Sequence, residues 1–318
     1  SLFSCGISSA DHSSKISNDV DEYLTQYNKT YQELLKSASE AAWNLNTHIV
    51  IGDTITSKIS EEKEEEMARY TGSKENIEMA TKFLKKKDAL SSLQIKQLET
   101  ILYFAGSTPE VVMDIVKQNI KANTDQTKKL FGYTYKVDGK EVSPNFIDSV
   151  LNNSNDVDQR LTIWKASKEV GKDLKQGLST LTKLRNQSVQ ALDYKDFFHY
   201  QVSDYGMTSD EMLAINRQMI QDIWPLYREL HTWARYHLAD QYKEEVPEML
   251  PAHWLPNRWG QDWTALVDVE GIDLDAVLEK KSPEWIVEQA EQFYKSIGFD
   301  ALPSSFYEKS SLYPLPEE

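Results

Sequence analysis

A mainly α-helical fold is predicted by three features of the sequence. Apolar residues recur every three and four positions along most of the 318 residues. Helix-start signals of the Ser/Thr-x-x-Glu type stand at residues 107–110 and 208–211. Only residues 133–142, YTYKVDGKEV, alternate as a strand pair does. Their Asp138-Gly139 suits a tight type I′ turn, so one small hairpin is expected.

Taken in order, residues 1–18 are polar and Ser-rich, and a disordered tether is expected there. From Asp19 onward Val20, Tyr23, Leu24, Tyr27, Tyr31, Leu34, Ala38, Ala42 and Leu45 mark one long amphipathic helix, with Trp43 and Asn46 in its last turns. A gap follows at Gly52-Asp53-Thr54. Residues 60–66, SEEKEEE, read as a solvated helix face. Helical spacing continues through Ile77, Ala80, Phe83 and Leu84, and residues 94–104 form another helix ending near Gly106. The box at Ser107 is expected to start the next, with Pro109 in its first turn. Residues 147–192 read as two helices with Gly171 and Gly177 as weak points. Thr208 opens a long helix through Met212, Ile215, Met219, Ile223, Leu226 and Leu230 to about Tyr242, kinked at Pro225. Ser282-Pro283-Glu284 starts a last clear helix that Gly298 ends, and residues 301–318 are proline-punctuated.

The formal net charge of −15 argues against nucleic acid as a partner, because such proteins carry a basic face. No run approaches the roughly 20 apolar residues of a transmembrane helix. The single cysteine, Cys5, excludes an internal disulfide. Its setting, LFSCG, resembles the end of a bacterial lipoprotein signal, which implies lipidation of Cys5, membrane anchoring and an extracytoplasmic location. A trimmed signal remnant without lipid is the other reading, since the charged and apolar parts of a signal are missing and Phe3 is unusual there.

Residues 251–263, PAHWLPNRWGQDW, are the densest chemical feature. Three indoles flank a proline-set bend and two short polar side chains, Gln261 and Asp262. A carboxamide held between tryptophans suits a site that fixes one polar group of a ligand, although most tryptophan clusters are packing knots. His199 among aromatics reads as a packed, satisfied side chain. His231 and His237 are six apart, about 120° around a helix, so they do not share a metal.

The tryptophan segment resembles the PAH-x-L-x-N-x-W-x-Q-x-W stretch of the angiotensin-converting enzyme family of zinc peptidyl-dipeptidases. Residues 40–49 (EAAWNLNTHI), 225–231 (PLYRELH) and 306–312 (FYEKSSL) resemble further segments of that family, in its order. The resemblance implies a helical, two-lobed fold with a deep cleft, and zinc-dependent release of dipeptides from peptide C termini. It implies that Gln261 bonds the substrate's terminal carboxylate, that Asp262 stands where a hydroxyl residue is usual, and that Asn46 faces the cleft. Lys168, after Trp164, matches the family's chloride-binding arginine, and Met207 falls near its chloride-linked tyrosine with Tyr205 two away, so chloride activation is left open. Pro144 matches an acidic subsite position.

No HExxH is present, nor a CxxC, P-loop or GxSxG. The resemblance implies that the zinc ligands and catalytic residues lie beyond Glu318, and that residues 19–318 are the helical N-terminal portion of a peptidyl-dipeptidase domain, inactive alone. A non-catalytic, helical, periplasmic ligand-binding lipoprotein is the alternative, and a tryptophan-lined cleft would serve it equally well.

Overall fold

The computed structural model describes residues 6–47, 52–261, 263, 266 and 274–312, with backbone alone over 6–13. Cys5 and Asp262 lie outside the described residues. The chain forms two compact units, Ser1–Trp263 and Thr264–Glu318. Both are helical, and one two-stranded sheet is the only strand pairing among the described residues.

In the first unit α1 spans Gly6–Thr47. It starts well before Asp19, so the expected tether is helical from Gly6. The start is anchored because Ile16 is buried and the Gln94 carboxamide donates to the Ser17 carbonyl at 3.0 Å and to Asp21 at 2.7 Å. Next come α2 (Ile55–Thr71), α3 (Lys74–Leu84) and α4 (Ser92–Ser107). Val20, Leu24 and Tyr27 of α1 close a core with Ala80 of α3 and Leu98 and Ile101 of α4. Ser91 and Gln94 cap α4 reciprocally, a box unnoticed in the sequence.

The box expected at Ser107 does not form. Ser107 ends α4, residues Glu110–Val112 make one 3-10 turn, and α5 starts later, at Met113–Phe131. Glu110 instead accepts the Lys74 backbone N–H at 2.7 Å and so satisfies an orphan donor of α3. Its own N–H donates to the Gly72 carbonyl at 3.0 Å. Here the chain passes so close that a Cβ on Gly72 would lie 1.5 Å from the Thr108 carbonyl oxygen.

The hairpin is β1 (Tyr135–Val137) and β2 (Lys140–Val142), with Tyr135 opposite Val142. Asp138 and Gly139 both have positive φ, 50° and 78°, as a type I′ turn requires. Three helices follow where two were expected: α6 (Pro144–Asn153), α7 (Val157–Lys168) and α8 (Val170–Gln190). Asp156 caps α7 at its start, which creates the extra break. Gly171 and Gly177 lie inside α8 and break nothing. Gly177 admits Gln126 of α5, whose amide nitrogen would stand 1.6 Å from an added Cβ. Tyr135, Ile147, Leu151, Ile163 and Val170 bury a second core under the hairpin.

The short α9 (Phe197–Ser203) leads into α10 (Ser209–Tyr242), started by the expected Thr208–Glu211 box and continuous through Pro225. Every residue of α10 from 213 to 229 is exposed, including Ile215, Ile223, Trp224 and Leu226.

The second unit holds α11 (Asp275–Leu278), α12 (Pro283–Ser296) and α13 (Ser304–Lys309). Ser282 caps α12 as expected, and Gly298, at φ 100°, follows its end. Glu291 joins the unit's parts by accepting the Leu302 N–H at 2.7 Å and the Tyr307 hydroxyl at 2.8 Å. Among the described residues no helix is long and apolar enough to cross a membrane.

Candidate functional site

The tryptophan segment hangs from a single buried arginine. Arg160, on the first turn of α7, is 1 % exposed and has no carboxylate partner among the described residues. Its Nε donates to the His253 carbonyl at 2.8 Å and its Nη1 to the Ser154 carbonyl at 2.9 Å. Its Nη2 serves both Trp254 (3.1 Å) and Leu255 (2.9 Å). Residues Ala252–Trp254 form a 3-10 turn whose last carbonyls point outward, and the planar guanidinium fork satisfies them together. The Tyr242 hydroxyl, at the end of α10, also donates to the Trp254 carbonyl at 2.9 Å, and Arg160 lies over the Tyr242 ring at 5.1 Å. Trp254 and Leu255 are buried by this arrangement.

A second cation holds the other end of the loop. Lys168, on the last turn of α7, donates to the Arg258 carbonyl at 2.6 Å and lies over the Trp164 and Trp259 rings, at 5.2 and 5.8 Å. Arg258 pairs with Asp148, 2.9 Å from Nη2 to Oδ2, and stacks on Trp259 at 4.7 Å. The Trp263 indole N–H donates to the Gly260 carbonyl at 2.8 Å, and its ring meets Tyr227 and His231.

These cations set the local electrostatics. Burial depresses the Lys168 ammonium pKa, and Arg258 depresses it further. Burial, then Arg160 and Lys165, push the His253 imidazole below its ordinary value, so His253 is neutral at neutral pH. Although the whole chain is acidic, the wall behind this loop is cationic.

Gln261 is exposed, and its carboxamide has no partner among the described residues. Asn46 is exposed on the last turn of α1. It is not brought to the loop by packing: α1 lies on α2, α4 and α5, whereas the loop lies on α7 and α10. His231 faces Tyr227 and Trp263, while His237 stacks on Trp233 at 4.7 Å, so the two imidazoles have separate neighbours. His199 donates its Nδ1–H to the Asp196 carboxylate, 2.7 Å away, within the α9 cap. Pro144 serves as the first residue of α6 behind a Ser143 cap. Arg160 and Tyr242, the two residues that build the loop, carried no motif. The signal available was an arginine and a tyrosine on interior helical faces, where each needs a polar partner.

The described residues do not fit a zinc site: no group of three or more His, Cys, Asp or Glu side chains converges among them. Fold and loop together define a mainly helical protein with an indole-rich loop held by Arg160 and Lys168. The chain belongs to the angiotensin-converting enzyme family, whose profile matches residues 14–317. The angiotensin-converting enzyme of Theromyzon tessulatum is 27% identical over 337 aligned positions, covering 98% of this chain and 53% of that protein. That of Mus musculus is 25% identical over 310 positions, covering 92% of this chain and 23% of the relative. The angiotensin-converting enzyme-like protein Ace3 of Mus musculus is 23% identical, covering 91% and 40%. The chain thus spans about half the length of the first relative and about a quarter of the second.

Proposed function

We propose that this chain is part of a zinc-dependent peptidyl-dipeptidase that removes dipeptides from the free C termini of peptides. The observation that carries the reading is the family match over residues 14–317. In it α1 and its neighbours serve as lid helices and the tryptophan loop as one wall of the substrate cleft. The free Gln261 carboxamide, standing before a cationic wall, receives the terminal carboxylate of the peptide. The zinc ligands and the general base come from sequence outside these 318 residues. The exposed apolar stretch of α10, residues 213–229, supports this, because a face of that size is ordinarily covered by a partner. We place the zinc-bearing helices against it.

The test is to read the coding sequence past Glu318 and to assay the whole product for C-terminal dipeptide release with and without a chelator. An HExxH on a helix, with chelator-sensitive activity, is expected. A stop codon after Glu318 in an intact gene would overturn the reading and move ligand binding without catalysis to first place. Lipidation of Cys5 and an extracytoplasmic location remain part of the proposal on the sequence context alone, and the mass of the mature N terminus decides them.

A further inference from the structure

Between α1, α2, α4 and α5 lies a cavity of about 260 Å³, just below the roughly 300 Å³ at which drug-sized pockets begin. Its walls are Tyr31 and Ala38 of α1, Met67 and Ala68 of α2, Phe104 of α4 and Ile120 of α5. Tyr31 and Phe104 stack in parallel at 5.7 Å and separate this cavity from a smaller one of about 140 Å³. The hydroxyls at its edge are already used. Thr71 donates to the Met67 carbonyl at 3.0 Å and contacts the Thr108 hydroxyl at 3.0 Å, and Ser107 donates to the Phe104 carbonyl at 3.0 Å.

One lining group is different. Glu64 comes from the SEEKEEE run read as a solvated face, yet its carboxylate lines the cavity. Its neighbours in the run are paired outward: Glu62 with Lys58, Glu65 with Arg69 and Lys117, Glu66 with Lys63. Glu64 has no cationic partner among the described residues. Burial raises its pKa and Glu61 raises it further, against a smaller lowering by the Ser60 hydroxyl. A carboxylate drawn from water toward two aromatic faces and left without a counter-charge is a receptor for an ammonium group.

We propose that this cavity binds small primary amines carrying an aryl or alkyl group. The ammonium sits on Glu64, and the hydrocarbon lies against Tyr31, Phe104, Met67 and Ile120. The site is separate from the tryptophan loop and does not depend on the peptidase reading.

Calorimetry on the 318-residue chain tests it with phenethylamine and its neutral counterpart 2-phenylethanol at neutral pH. A ligand of this size is expected to bind with a Kd of about 0.1–1 mM. The amine should bind at least about tenfold more tightly than the alcohol, as one charge-assisted hydrogen bond provides. Glu64→Gln should bring the two within about twofold of each other. Ala38→Phe, which fills the cavity from α1, should abolish binding of both and keeps the test decisive if the first variant fails to fold. Equal binding of amine and alcohol to the unaltered chain, amine binding untouched by either variant, or no binding would overturn the proposal.

Discussion

Replacing Arg160 by methionine removes the fork while keeping the volume and the apolar stem. Three carbonyls, of Ser154, His253 and Leu255, then lose the donor that Arg160 gives them, while Trp254 keeps the Tyr242 hydroxyl. A buried acceptor left without a donor costs about 1–3 kcal/mol, which gives about 3–9 kcal/mol for three. Against this, the variant no longer buries a guanidinium, which recovers several kcal/mol. The net loss expected is about 1–5 kcal/mol, the difference between those two opposing effects. Arg160→Lys keeps the charge but cannot span four carbonyls from one nitrogen, and about 2 kcal/mol is expected. Tyr242→Phe should cost only about 1 kcal/mol, because Arg160 still serves Trp254.

Urea unfolding followed by circular dichroism gives the stabilities, and tryptophan emission reports the loop. Trp254 is 5 % exposed, so release of the segment should shift its emission to the red before global unfolding. A methionine variant within about 1 kcal/mol of the parent, with unchanged emission, would show that indole packing alone holds the loop and that the arginine clamp is incidental.

Gly72→Ala should destabilise by about 3 kcal/mol or more, because its Cβ would meet the backbone oxygen of Thr108 at 1.5 Å, whereas Gly171→Ala, with open space inside α8, should stabilise by about 0.4–1 kcal/mol; urea midpoints of the pair check both. Tyr27 and Tyr200 have phenol pKa values raised above 10.0, first by burial, so their contribution is intact below pH 10 and is lost as pH rises beyond it. Alkaline titration should therefore show their phenolate absorbance appearing only with loss of the helical signal; full ionisation of all sixteen tyrosines near pH 10 in a native chain would refute this. In the active whole enzyme, Gln261→Ala should raise KM for peptides with a free C terminus about 10- to 100-fold and leave C-terminally amidated peptides unaffected, measured by steady-state kinetics; equal effects on both would remove Gln261 from carboxylate binding.

What could be read from the sequence was local. The hairpin follows from Asp138-Gly139, since only residues tolerant of positive φ fit both turn positions. The starts of α10 and α12 follow from Thr208 and Ser282, whose side chains reach N–H groups three residues away. The errors came where a local signal was taken by a distant partner. Glu110 has the spacing of a box with Ser107 but caps α3 instead, 36 residues back in the chain. Glu64 has the composition of a solvent face but lines a four-helix cavity, because periodicity over seven residues does not say which of five glutamates turns inward. At the N terminus a polar, serine-rich stretch is helical because Gln94 of α4 holds Ser17 and Asp21.

The same limit explains why Arg160 left no signal in the sequence. Arg160 binds main-chain oxygens 93 to 95 residues away, and a carbonyl has no sequence signature. Its choice of carbonyls over a carboxylate also has an electrostatic consequence. An ion pair would have neutralised the guanidinium, whereas four neutral acceptors solvate it and leave its charge in place. The His253 pKa is lowered first by burial and then by that charge. A loop that received an anionic peptide terminus, as proposed above, would gain from both properties: its backbone is fixed before the ligand arrives, and the Arg160 charge behind it is not neutralised by an ion pair. Arg160→Lys separates the two. It retains the charge while loosening the fork, so in the active whole enzyme it should affect peptide KM through loop order and leave the His253 pKa low. Arg160→Met removes both, and the His253 pKa should rise toward 6.5, a change that a proton titration of the imidazole would reveal.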